Sequence, residues 1–138
     1  MFSRIMVPVD LSHVPQLRKA LDVAGRYAKT FGVPVTYVGV TAATPGALGH
    51  NPKEFSARLE AFGAEQAKAH GIDAETKTVI SHDPSLDVDD ALLDAVSETG
   101  ADLVIMASHI PGLADYVWPS NGGKLAAHSA ASVFVVRD

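Results

Sequence analysis

Leu103-Val104-Ile105-Met106-Ala107-Ser108-His109-Ile110-Pro111-Gly112, in the last third of the chain, is the stretch that decides the fold. The apolar run Leu103 to Met106 has the length and composition of a strand buried on both faces, and small residues follow it at once. A polar and aromatic loop then leads to Ser120-Asn121-Gly122-Gly123-Lys124, where a helix is expected to begin. Strand, small-residue loop, helix start: this order sets backbone N–H groups and a helix N-terminus above the carboxyl edge of a sheet. Phosphates bind there in open α/β folds.

Outward from that stretch, strand-like and helix-period segments alternate along the chain. Phe2 to Val9 reads as a first buried strand, ended by Pro8 and Asp10. In the next segment Val14, Leu17, Leu21, Ala24, Ala28 and Phe31 recur at spacings that place them on one helix face, and Gly32 is a C-cap. Val33 to Val40 is rich in β-branched residues and predicts a second strand, and the Gly- and Pro-containing stretch from Thr41 to Pro52 a long loop. Phe55, Leu59 and Phe62 align on a second helix ending near His70-Gly71, and Glu75 to Ile80 makes a third strand. Ser81 to Ser85 is a turn cluster. Val88, Leu92 and Val96 then define the inner face of a third helix stopped at Gly100, with Asp87, Asp89, Asp90 and Asp94 at its start and outer side. A fourth helix from Asn121 to Ser129 and a fifth strand from Ser132 to Val136 complete the order.

Strands separated by helices imply parallel pairing through right-handed crossovers, hence an α/β fold, a three-layer α/β/α sandwich. If the first and fourth strands are neighbours across a topological switch, their carboxyl ends frame one crevice. The 138 residues suit one domain spanning residues 1–138. A net charge of −5, from 16 acidic and 11 basic residues, offers no basic field for nucleic acid or for an acidic membrane surface. The absence of cysteine removes disulfides, thiolate metal sites and cysteine nucleophiles, and fits a reducing compartment. No apolar run approaches the roughly 18 residues of a membrane span, and the start runs into a strand, not a cleavable leader. A soluble, cytoplasmic protein is expected.

The segments Ile5-Met6-Val7-Pro8-Val9-Asp10-Leu11-Ser12, Gly39-Val40, Ala101 to His109 and Val133-Phe134-Val135-Val136-Arg137, in this order and at these separations, resemble the universal stress protein family. The resemblance implies a five-stranded parallel sheet of order 3-2-1-4-5 with two helices on each face, the adenine nucleotide alpha hydrolase-like fold. It also implies homodimers formed through the last strand, Ser132 to Val136. In the family's nucleotide-binding members the fourth strand leads into Gly-x2-Gly-x9-Gly-(Ser/Thr). Here Ala107 and Ile110 stand at the first two glycine positions, and Pro119-Ser120, one residue closer, at the Gly-Ser position. The family pattern is much stronger than its ATP-binding motif.

By this resemblance ATP or a related adenine nucleotide, with or without Mg²⁺, lies across the carboxyl edge of strands one and four. Val9, Val40 and Met106 border the adenine, Asp10 the ribose, and Ser108, His109, Ser120 and Asn121 the phosphates, with Pro8, Ala107 and Pro119 also counted in the nucleotide site. Pro119 removes a backbone donor and Ile110 narrows the approach, so weaker binding than in a glycine-complete relative is expected. Asp10 also reads as a plain helix cap, and Ser120 or Asn121 as an N-cap. Val40 and Met106 also read as core.

Other chemistries lack their parts. The six histidines fall on different elements, none at the i,i+4 spacing of a helical zinc motif; His82 and His109 both follow strand ends and could meet at the crevice rim, but no metal site is expected there. No Gly-x-Ser-x-Gly elbow or Walker-type loop occurs, so at most very slow ATP hydrolysis is expected. Two classes stand: a regulatory nucleotide-binding module of the stress response, and a dimeric interaction module whose crevice has lost its nucleotide.

Overall fold

The computed structural model of the chain describes residues 1–42, 51–81, 84–108 and 121–137. Ile5–Val9 forms β1, buried at every position, and a short 3-10 turn, Leu11–His13, leads into helix α1, Val14–Phe31. Pro15 sits in the first turn of α1, where a missing N–H costs no hydrogen bond. At the other end Gly32 takes φ 65°, a left-handed conformation that a Cβ would strain, and the N–H of Val33 returns to Ala28 O at 3.1 Å. This turn carries Val33 into the core and leaves Phe31, expected on the inner face, 52% exposed. As the last helical residue, Phe31 rests its ring on Tyr27 with centroids 4.5 Å apart.

The remaining elements are β2 (Val35–Ala42), α2 (Pro52–His70), β3 (Ala74–Ser81), α3 (Pro84–Thr99), β4 (Leu103–Ala107), α4 (Asn121–His128) and β5 (Ser132–Val136). Several bounds differ from the sequence reading. The first strand begins at Ile5, not Phe2, because the N–H groups of Ser3 and Arg4 are held by the Asp102 carboxylate. β2 continues through Thr41 and Ala42, in register with Ile80 and Ser81 of β3, so pairing extends both strands into stretches read as loop. Pro84 and Ser85, read as turn, open α3.

The sheet order is β3-β2-β1-β4-β5, every pair parallel. Side chains alternate between two cores. Ile5, Val7, Val9, Val35, Tyr37, Leu103 and Ile105 meet α1 and α2 through Leu17, Leu21, Ala24, Phe55 and Leu59. Met6, Val38, Val104 and Met106 meet α3 and α4 through Leu92, Ala95, Val96 and Leu125. Three layers with two helices on each face result.

Candidate functional site

The hydrogen-bonded register between β1 and β4 stops short of their carboxyl ends, and Pro8 supplies the reason. β1 pairs with β2 from Ile5↔Val35 through Val9↔Gly39, and β4 with β5 from Leu103↔Ser132 through Ala107↔Val136. The β1–β4 register, by contrast, comprises only Ile5↔Leu103 and Met6↔Val104. Hydrogen-bonding groups of alternate residues face alternate neighbours along a parallel strand. Ile5 N–H donates toward β2, to Pro34 O at 3.0 Å, whereas Arg4 O accepts from Leu103 N–H at 3.3 Å on the β4 side. Even-numbered residues of β1 therefore face β4. After Met6 the next of these is Pro8, which has no N–H to give. The ladder ends where the chain stops supplying donors, at the topological switch of the sheet.

Asp10 follows β1 and is engaged within its own turn. Its Oδ1 accepts from Ser12 N–H at 2.9 Å, and its Oδ2 lies 2.7 Å from His13 Nδ1. Asp10 thus caps the 3-10 turn that follows the carboxyl end of β1. His13 was missed in the sequence as a member of this group; the Asp-x-x-His spacing across a strand-to-helix turn was the available signal.

The other candidate residues divide between the two faces of the sheet. Pro8 is buried in β1, and Val9, 2% exposed, points to the α1/α2 core. Met106 and Val40 belong to the α3/α4 side, Met106 buried and Val40 partly exposed. Ala107 ends β4 half-buried on the α1 side. Ser108 is half-buried, and its N–H donates to Val136 O at 2.8 Å. Asn121 is the first residue of α4. His109, Pro119 and Ser120 lie outside the described residues, as do His82 and Asp83. Among the described residues no group of three or more His, Asp or Glu side chains is placed to hold a metal ion.

Gly39 has a packing reason. A Cβ there would lie 2.9 Å from the Phe55 ring of α2. Asp102, part of the segment that carries the resemblance, is a structural residue. Its carboxylate accepts from Ser3 N–H and Arg4 N–H at 2.9 to 3.0 Å. Burial alone would raise its carboxyl; the backbone N–H bonds of Arg4, Ser3 and Asp102 itself, with the N-terminal ammonium, outweigh that and hold it below its ordinary value.

Comparison with known proteins places this architecture. The universal stress protein family model matches residues 1–137, and the chain belongs to that family. Universal stress protein G of Shigella flexneri is 27% identical over 99% of this chain and 100% of its own length. Among solved structures, a universal stress protein in complex with cAMP superposes with a TM-score of 0.70 at 21% identity, covering 99% of this chain and 97% of the other. The universal stress protein from Archaeoglobus fulgidus in complex with dAMP gives 0.64 at 18% identity, covering 96% of each chain. These likenesses identify the adenine nucleotide alpha hydrolase-like fold. No helix among the described residues is long and apolar enough to cross a membrane.

Proposed function

We propose that the chain is a small regulatory protein that binds ATP or a related adenine nucleotide across the carboxyl ends of β1 and β4. The observation that carries this reading is the β1–β4 register that ends at Met6↔Val104, with Pro8 and Asp10 following on one strand and Met106 to Ser108 on the other. Support comes from the two structural relatives that hold cAMP and dAMP. The nucleoside end belongs at the turn after β1, and the phosphates belong at the start of α4, where free N–H groups and the helix dipole favour anions. Ser108 contributes a hydroxyl there; Ser120 and Asn121 are the further contacts proposed.

Calorimetric titration with ATP, AMP and cAMP, each with and without Mg²⁺, tests the reading. Heat and thermal stabilisation at up to millimolar nucleotide are expected. Their absence for all three sinks the nucleotide-binding proposal.

A second reading concerns assembly. β5 is an edge strand whose Phe134 and Val135 are 45% and 38% exposed, an apolar edge of the kind that pairs with another chain. A homodimer about a two-fold axis through β5 satisfies that edge whether or not the crevice is filled.

A further inference from the structure

We propose that the side chain which the turn after β1 presents to a bound nucleotide is His13, with Asp10 acting through it as a positioning residue. The proposal rests on the crevice being the nucleotide site argued above. Asp10 already has a partner for each carboxylate oxygen, Ser12 N–H on Oδ1 and His13 Nδ1 on Oδ2. Its side chain is 12% exposed against 28% for His13, so the imidazole is the more accessible of the two.

A carboxylate 2.7 Å from Nδ1 keeps the proton on that nitrogen and fixes the tautomer of the neutral ring. Nε2 is then a lone-pair acceptor at the end of the ring away from Asp10, and no described residue hydrogen-bonds it. An acceptor meets donors. On an adenine nucleotide the donors are the ribose hydroxyls and the exocyclic amine, all at the nucleoside end, whereas ionised phosphates offer none. The chemistry of Nε2 therefore matches the end of the ligand that belongs at β1, and leaves the phosphates to α4. The Asp10–His13 pair thereby puts an imidazole, backed by the carboxylate, at the nucleoside end of the site where a bare carboxylate would otherwise stand.

The two ring nitrogens are separated by amide substitutions, because an asparagine amide reaches the place of Nδ1 and a glutamine amide the place of Nε2. Wild type, His13→Asn, His13→Gln, His13→Ala and the double variant Asp10→Asn/His13→Ala are titrated with ATP, with thermal melts confirming that each is folded. One neutral hydrogen bond corresponds to an affinity loss of roughly three- to tenfold. That loss is expected for His13→Ala and His13→Asn, with His13→Gln within about twofold of wild type and Asp10→Asn adding nothing once His13 is alanine. The proposal is overturned if His13→Asn, which still donates to Asp10, keeps wild-type affinity while His13→Gln loses it. It is equally overturned if Asp10→Asn weakens binding further in the His13→Ala background. If one His13 variant fails to fold, the asparagine–glutamine contrast or the double variant decides. A wild-type protein that binds no ATP is a separate result, which removes the nucleotide site itself and this role for His13 with it.

Discussion

Replacing Asp102 by asparagine weakens the tie between the start of the chain and the sheet with almost no change in side-chain volume. In the wild type, Ser3 N–H donates to both carboxylate oxygens at 3.0 and 2.9 Å, and Arg4 N–H to Oδ1 at 3.0 Å. The backbone of Asp102 meanwhile donates to Arg4 O at 3.1 Å and accepts from Ser132 N–H at 3.0 Å, so this residue joins the N-terminal segment, β4 and β5. Asparagine keeps one acceptor oxygen and turns the other into an NH₂ that faces donors. A charge-assisted bond exceeds a neutral one by about 1 kcal/mol, and two N–H groups are affected, for a ceiling of about 2 kcal/mol. Solvent at this half-exposed position screens part of it, which leaves about 1 to 2 kcal/mol. For a chain of this size that is a fall in Tm of about 3 to 8 °C.

The effect carries a pH signature. The folded-state carboxyl of Asp102 is held below its ordinary value. Its stabilisation is therefore complete above the unfolded-state carboxyl titration and disappears as pH falls through the folded value. Urea melts of wild type and Asp102→Asn at pH 7, repeated at successively lower pH, should show a gap that closes on acidification. Equal stability at pH 7, or a gap that persists undiminished to the acid limit of the folded state, refutes the account.

Three further outcomes are expected. Tyr37→Phe removes a fully buried hydroxyl with no hydrogen-bond partner among the described residues, in a site where burial already pushes the phenol pKa far up, so stability is expected unchanged or higher by up to about 1 kcal/mol in chemical denaturation. Gly39→Ala sets a Cβ 2.9 Å from the buried Phe55 ring and 3.2 Å from Leu59 Cδ2; overpacking of about 1 to 3 kcal/mol, less about 0.5 to 1 gained by the backbone, predicts a net loss of up to about 2.5 kcal/mol in the same assay. Val135→Lys places a charge on the open edge of β5, and light scattering should report a monomer where wild type reports a dimer; an unchanged mass would show that β5 is not the interface.

The sequence by itself determined the succession of elements, because each depends on local pattern: β-branched runs for the strands, three-and-four spacing for the helices, and glycine where α1, α2 and α3 end with φ between 64° and 70°. Resemblance carried the strand order, which alternation alone does not specify, since crossover connections fix handedness but leave several neighbour orders open. The tertiary structure decided what depends on neighbours distant along the chain or on the exact course of a turn. Thr41 and Ala42 became strand because β3 lay beside them. Phe31 lost its place in the core because the turn at Gly32 delivered Val33 instead. Pro8 could be read as the end of a strand, but its consequence for the β1–β4 seam required knowing which neighbour each residue of β1 faces. The roles of Asp10 and Ser108 required knowing that His13 reaches a carboxylate oxygen and that Val136 takes an N–H. Periodicity and caps are written into nearby residues, whereas hydrogen-bond partners across a sheet or around a turn exist only once the backbone has been placed.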